Sequence, residues 1–497
     1  MLGITLVLGG VLILLAGLHY RLKSPSCRNS KSVGLIVLGD IGRSPRMLYH
    51  AQSFLQNGYT TYIVAYRGSN PPRSLTENEK CHFVYLSQPL AFSSKLPKIG
   101  FLFIAPFKVL SGALYLFSAL LFRIPRSPTF LFVQNPPSIP TLPIVQLAVW
   151  LRSSKLVIDW HNTGYSVLSL RLGSEHPVVK IAKKIELWFG KRAYAHLMVT
   201  DTMRQQLVKE AKLEGKAIAF HDRPPKHFRR QTNLESHELF KRLPVLKTIN
   251  FSPSTENDSL SSADATIFTS SNGSLLPNRP ALIVTSTSHT PDEDLTILLE
   301  ALTIYEQTAL SSSSSSLPRL VMLVTGKGSG KQSFESSIHH LESLGKLGQF
   351  VQIRTTWLEL EDYPKLLGSS DLGISLHSST SGYDLPMKVV DMFGCELPVL
   401  ALDFESIGEL VKDGVNGRTF KTAKELSKQL IDLLSGFPSE QSCSKLEELR
   451  KGIKLAKYGR LENGPSKEDD EGEQWENWEQ HWDRLLLPVL DSHSWNS

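Results

Sequence analysis

The sequence predicts an α/β protein: two parallel sheets, each covered by helices on both faces, behind an N-terminal transmembrane helix. Three observations predict it. Short apolar runs alternate with helix-length segments twice along the chain, the second series restarting after a polar interruption. The runs are apolar on both faces, as in a sheet buried from both sides. Residues 2–18, LGITLVLGGVLILLAGL, carry no charge.

At the N-terminus, residues 2–18 would form a helix about 26 Å long, enough with its flanks to cross a thin bilayer. The rival is a cleaved signal peptide, which needs basic residues ahead of the apolar run. Here Arg21, Lys23, Arg28 and Lys31 all follow it. A retained anchor with the body of the protein in the cytosol is therefore expected. The N-x-S sequons at Asn250, Asn257 and Asn272 would then stay unmodified.

The first series of strand-like runs is 33–39, 60–66, 81–86, 129–134, 155–160 and 196–200. A Ser/Thr/Asn/Asp-rich stretch at 248–278 reads as a linker. The second series is 281–288, 320–328, 350–355, 371–377 and 398–402, with a serine tract at 311–316. The expected organisation is an anchor (1–20), a first Rossmann-like domain (31–245), an insertion (246–278), a second such domain (279–455) and a tail (456–497). Ligands of such sheets sit at the carboxyl ends of the strands, here in a cleft between the domains.

Two segments lie outside that plan. Residues 99–122 are long and apolar, but Pro106 and Lys108 argue for an interfacial or packed helix rather than a second span. Trp475, Trp478 and Trp482 fall on one helix face and read as a packing face.

Length and composition bound the function. A chain of 497 residues holds two or three domains. Hydrophobic content of 41% and charged content of 21% fit a globular protein. The net charge of +6 suits an anionic ligand or a membrane surface and is too diffuse for nucleic acid. Cys27, Cys81, Cys395 and Cys443 lie far apart, which argues against a zinc site or a disulfide framework and fits a reducing compartment.

The stretch SGYDLPMKVVDMFGCELPV at 381–399 sets Asp384, Lys388 and Asp391 in an apolar run. Helical spacing would put all three on one face. They form either a solvated ion-pair stripe or a site. A helix start with a lysine one turn in suits phosphate, and the preceding loop, with Ser379 and Gly382, offers hydroxyls and N–H groups. Asp384 is expected as a helix cap, a partner of Lys388 or a sugar contact.

In the first half, LGDIGRSPRM follows a strand, and Asp40 at that strand's end is placed as a general base. DWHN, with Asp159 and His161, ends another strand; His161 is either a structural hydrogen-bonding residue or part of the chemistry. In STSHTPDEDL, Thr290 and Glu293 read as a capping box rather than a metal site. TGKG, with Gly326 and Lys327, follows a strand but lacks P-loop spacing.

Taken together, VLGDIGRSPRM, QNPPSIPTL, IDWHNTGYS, DRPP, TSTSHTPDEDL and GYDLPMKVVDMFGCELPV resemble the chitobiosyldiphosphodolichol β-mannosyltransferase family over residues 2–435. The resemblance implies a GT-B fold and transfer of the first mannose from GDP-mannose, with inversion to a β-1,4 bond, onto diphosphodolichol-linked chitobiose in lipid-linked oligosaccharide assembly for N-glycosylation. It places the enzyme on the cytosolic face of the endoplasmic reticulum membrane. Other dolichol-pathway mannosyltransferases become candidate partners.

The resemblance implies a donor site from Ser286, Gly326, Lys327, Ser379, Gly382, Asp384, Lys388 and Asp391, with Lys388 at the diphosphate and Asp391 at the ribose. GDP-mannose is then a substrate, and neither a cofactor nor an obligatory metal is expected. Asp40 is the first candidate base, followed by Asp159 and His161. The chain departs from the family pattern at His289, where a tryptophan is usual, and at Glu396, where a glycine is usual. The alternatives are a GT-B transferase with another acceptor and an inactive scaffold subunit.

Overall fold

The computed structural model describes residues 31–87, 109–124, 127–251, 264–290, 293–311, 317–359, 361–379, 382–438, 440–455 and 477–491. The expected anchor, residues 99–108 of the second apolar segment, Trp475 and most of the serine tract lie outside them. Among the described residues, no helix is long and apolar enough to cross a membrane.

The chain divides into two units, Met1–His221 with Arg484–Ser497, and Asp222–Asp483. The first holds a seven-stranded sheet of β1 (Ser32–Asp40), β2 (Thr60–Tyr66), β3 (Cys81–Leu86), β4 (Phe130–Asn135), β5 (Lys155–Trp160), β6 (Arg192–Met198) and β7 (Glu214–Ala219). Its order is β3-β2-β1-β4-β5-β6-β7, and each pair is parallel. The order reverses beside β1, so the polar strand ends of β1 and β4 flank a topological switch point. The second unit holds β8 (Ala281–Ser286), β9 (Leu320–Thr325), β10 (Val351–Thr356), β11 (Leu372–Ser375), β12 (Val399–Leu402) and β13 (Gly417–Phe420). Its order is β10-β9-β8-β11-β12-β13, again all parallel.

The central strands are fully buried: Leu35, Ile36, Phe132, Val133, Val157 and Ile158 in one sheet, and Ile283, Val284, Met322 and Leu323 in the other. At about 25 cal/mol per Å², this burial is the main force that folds each sheet. Backbone ends that would be left unpaired are caught by side chains. The buried Glu306 carboxylate accepts the N–H groups of Gln349, Phe350 and Val351 at the start of β10. Arg152 donates to the carbonyls of Leu120, Leu121 and Ile124.

The second unit begins at Asp222, well before the boundary expected at residue 245. Phe228, Leu239 and Phe240 pack with Leu282, Val284 and Val321 under its sheet, so the segment joins the core that it helps to bury. Two strands escaped the sequence pattern. The edge strands β7 (EGKAIA) and β13 (GRTF) are short and partly polar, without the two-faced apolar signature. Residues 109–118 are helical and continue into a π-turn, Ala119–Arg123. Leu116, Leu120 and Leu121 are buried while Leu110, Leu114 and Phe122 stay exposed, so this piece packs on the unit with one face. Trp478 and Trp482 are buried, as a packing face requires.

The helix Met387–Gly394 ends at Cys395, and Glu396 follows with φ of +55°. This is the left-handed position where helices prefer glycine. Glu396 thus occupies a place where glycine costs nothing. Its ion pair with Lys454, 3.0 Å long and partly exposed, offsets little of that strain. Glu396→Gly is expected to stabilise the protein by about 1 kcal/mol, read as a rise in the midpoint of chemical denaturation.

Candidate functional site

In the first unit, Asp40 closes β1. Its Oδ1 accepts the Gly42 N–H at 3.0 Å, and its Oδ2 accepts the N–H and the hydroxyl of Ser69, both at 2.9 Å. Burial raises its pKa, but the Ser69 and Gly42 donors and Arg43 outweigh that and hold the carboxyl below its ordinary value. A Cβ on Gly42 would stand 2.5 Å from the Ser69 carbonyl oxygen, so only glycine fits. Asp40 therefore ties the loop after β1 to the loop after β2. Expected as the first candidate base, it is a weak proton acceptor in this geometry.

Asp159, in β5, is fully buried and receives a two-pronged bond from Arg46: Nε to Oδ2 at 2.9 Å and Nη2 to Oδ1 at 2.8 Å. His161 Nε2 lies 2.7 Å from Oδ2, and His50 Nε2 lies 3.4 Å from the same oxygen. Burial opposes ionisation of Asp159, yet Arg46, His161 and His50 keep its pKa well below the usual carboxylate range. His50 is driven the other way. Full burial lowers its pKa to about 4 despite Asp159, so it is neutral at physiological pH.

An ionised carboxylate only accepts hydrogen bonds, so His161 Nε2 donates to Asp159. In the neutral imidazole the lone pair then sits on Nδ1. The His161 side chain remains partly exposed while Asp159 is sealed. The pair can orient a base of fixed tautomer, with Asp159 as the orienting group. Arg46 and His50 were missed by sequence reasoning; the available signal was their four-residue spacing on one helix face.

In the second unit, Lys388 leaves the helix Met387–Gly394 and reaches the end of β8. Its Nζ pairs with the Glu293 carboxylate and donates to the Ser286 carbonyl at 2.9 Å. Glu293 is buried and also accepts from the Ser288 N–H at 3.0 Å and from the Thr287 hydroxyl. This corrects the capping-box reading. The helix begins at Leu295, and Asp294 accepts the Thr296 N–H at its start, which frees Glu293 to face the lysine. The Ser286 hydroxyl bonds to the Tyr363 hydroxyl at 3.1 Å.

The expected one-face trio does not form. Asp384 lies in the loop before the helix, whose N-cap is Pro386, so it is neither a helix cap nor the Lys388 partner. It accepts from the Ser379 hydroxyl and stands 3.5 Å from His377 Nε2. Gly382, with φ of +80°, lies between them and beside Glu405. The turn after β9 presses on the 287–289 loop. A Cβ on Gly326 or Gly328 would come within 1.8 Å of a carbonyl oxygen there. Lys327 Nζ sits 3.9 Å above the Trp357 ring, a cation–π contact. The helix Lys331–Ser343 opens just beyond this turn, as in phosphate-binding loops. Asp391 lies three residues after Lys388 on the same helix, with Asp222 as its charged neighbour. Burial, with repulsion from Asp222, raises its pKa to about 8.

The comparisons with known proteins agree with this architecture. A family described as "Glycosyl transferases group 1" matches residues 279–436. A chitobiosyldiphosphodolichol beta-mannosyltransferase of Pongo abelii is 39% identical over 472 residues, covering 93% of each chain. The chain belongs to the chitobiosyldiphosphodolichol beta-mannosyltransferase family. Within this glycosyltransferase family, the Dictyostelium discoideum relative is 38% identical and covers 90% of this chain and 92% of its own. An Arabidopsis thaliana protein named "UDP-glycosyltransferase TURAN" is 39% identical, covering 92% and 96%.

Among solved structures, a glycosyltransferase from Rickettsia africae aligns with a TM-score of 0.54 at 14% identity, covering 94% of this chain and all of that one. WaaG, a glycosyltransferase of lipopolysaccharide biosynthesis, aligns at 0.53 and 12%, covering 91% and 99%. These likenesses show the GT-B type of fold, two parallel-sheet α/β domains, for the mannosyltransferase family member described here.

The raised pKa of Asp391 sets a pH dependence. The unfolded carboxyl loses its proton near pH 4, whereas the folded one keeps it to about pH 8. Between those values the folded state binds more protons, so stability falls as pH rises. Asp391→Asn removes that loss. Its melting temperature is expected to exceed the parent's at pH 8, with the gap closing toward pH 4 in thermal melts across that range.

Proposed function

We propose that this glycosyltransferase moves mannose from GDP-mannose onto diphosphodolichol-linked chitobiose, forming a β-1,4 bond with inversion, at the cytosolic face of the endoplasmic reticulum. The observation that carries the reading is the named activity of relatives 36–39% identical along nearly the whole chain. The expected anchor at residues 2–18 supports a single-pass membrane attachment.

The roles divide between the units. His161 takes the proton from the acceptor hydroxyl through Nδ1, while Asp159, held ionised by Arg46, stabilises the imidazolium that forms. On the donor side, Lys388 and Lys327 with the start of the helix Lys331–Ser343 balance the charge that grows on the departing diphosphate. Glu293 holds Lys388 in place until a diphosphate competes for it. Ser286, Ser379, Gly326, Gly382 and Asp384 shape that pocket, and Asp391, protonated near neutrality, donates to a ribose oxygen. This reaction needs no metal.

One observation favours a second reading. The Arabidopsis thaliana relative is named for a UDP-sugar at the same identity. Purified protein offered a lipid-linked chitobiose should transfer sugar from GDP-mannose and not from UDP-glucose or UDP-N-acetylglucosamine. Transfer from the UDP-sugars alone, or none from GDP-mannose beside an active control, would overturn the proposal. His161→Gln is expected to lower kcat by about 10²–10⁴-fold with KM for the donor unchanged. Lys388→Ala should instead weaken GDP binding, measured by calorimetry.

A further inference from the structure

Glu186, on the helix Pro177–Gly190, is fully buried and has no part in the chemistry described so far. Its carboxylate gathers four donors. Oε1 accepts the Asn135 side-chain amide at 2.7 Å and the Gly164 N–H at 2.9 Å. Oε2 accepts the Tyr165 N–H at 3.0 Å, and the Ser138 hydroxyl also donates to the group. Burial pushes the carboxyl's pKa up, and these donors pull the other way.

The donors come from two loops. Asn135 ends β4 and Ser138 follows it, whereas Gly164 and Tyr165 open the helix Gly164–Leu172 just past β5. Thr163, at the N-cap, gives that helix no side-chain bond, so Glu186 supplies the cap from a second helix. The fit is close. A Cβ on Gly164 would stand 2.8 Å from the Ser138 hydroxyl oxygen and 3.2 Å from Glu186 Oε2. Between the two tied points lies His161. Its N–H donates to the Asn135 carbonyl at 2.8 Å, and the Asn135 amide also reaches the Asn162 carbonyl at 3.4 Å. The residue that Glu186 grips therefore grips the backbone of His161 and Asn162.

We propose that Glu186 is a positioning residue for the transfer step, setting where His161 Nδ1 meets the acceptor hydroxyl. The proposal rests on the reading of His161 as the base. Glu186 is sealed from solvent, so it acts through Asn135 and the Asn162–Gly164 turn and not on the sugar. The two buried carboxylates then have separate tasks. Asp159 fixes the tautomer and direction of the imidazole, and Glu186 fixes the backbone that carries it. E186Q is the informative change. The amide keeps the shape, but whichever way it turns, its NH2 group meets a backbone N–H, of Gly164 or of Tyr165.

The test measures kcat and donor KM of the full chain with GDP-mannose and lipid-linked chitobiose. It compares the parent, E186Q, H161Q and E186Q/H161Q, with amide exchange of β5 peptides as the check on folding. E186Q should lower kcat by about 10–10²-fold, the scale of a misplacement near 1 Å, with donor KM unchanged. E186Q/H161Q should be no slower than H161Q, because a displaced base and an absent one lose the same step. A merely structural role would instead put the double variant below H161Q by the full E186Q factor, and that result overturns the proposal. E186Q at the parental rate while H161Q is slow also overturns it and leaves the base reading intact. H161Q at the parental rate overturns both. If E186Q loses β5 protection, N135A carries the same test, since it cuts the bridge to Asn162 while both helix N–H groups keep their cap.

Discussion

The chemistry of the first unit hangs on one buried ion pair. Asp159 lies in a sheet strand with no access to water, where an ionised carboxylate is costly unless paired and hydrogen-bonded. Arg46 meets both of its oxygens, and the guanidinium also lies 5.2 Å from the centre of the Phe220 ring. The geometry keeps the carboxylate charged, and that charge fixes the tautomer of His161. The helix Pro45–Gln56 therefore does more than cover the sheet. It supplies the cation without which the strand end could not hold a carboxylate, and His50 beside it stays neutral through the same burial.

The second unit solves the opposite problem. Lys388 is partly exposed and meets a buried carboxylate, Glu293, rather than a buried cation. An anionic ligand arriving there would compete with Glu293 for the ammonium. Asp391, one turn along, has no such cation, and its neighbour Asp222 is another carboxylate. Lys388 and Asp391, on one short helix, thus face different partners, the Glu293 carboxylate for the one and a second acid, Asp222, for the other. Local sequence spacing does not reveal this, because the partners come from segments far away in the chain.

The same distinction explains what could be read from sequence. Strands such as IVLG of β1 and VIDW of β5 announce themselves because both faces are buried. The edge strands β7 and β13 do not, since half of each faces solvent. Ser286 and Lys388 were grouped through the family resemblance rather than by spacing, and Lys388 does donate to the Ser286 carbonyl. Glu293 was misread because Thr290-Pro-x-Glu matches a local helix cap, while its real partner stands 95 positions away. Arg46 and His50 look like surface polar residues until Asp159 is placed between them. Asp40 is at the expected strand end, but its hydrogen bonds go to a glycine and a serine that no spacing rule would have selected.

The first unit is not continuous in the chain. Arg484–Ser497 belongs with Met1–His221. Tyr194 donates its hydroxyl to the Val489 carbonyl at 2.7 Å, and Asp491 stands 3.8 Å from Lys31. Chains leave the ribosome amino end first, and domains generally fold as they emerge. The unit that emerges first is therefore the last to be finished. Its closing contacts wait until Val489 and Asp491 have been made, with the whole of Asp222–Asp483 translated in between. Biogenesis is then ordered: a chain that has made all seven strands of the first sheet still lacks the contacts of Val489 and Asp491 until Asp222–Asp483 has followed.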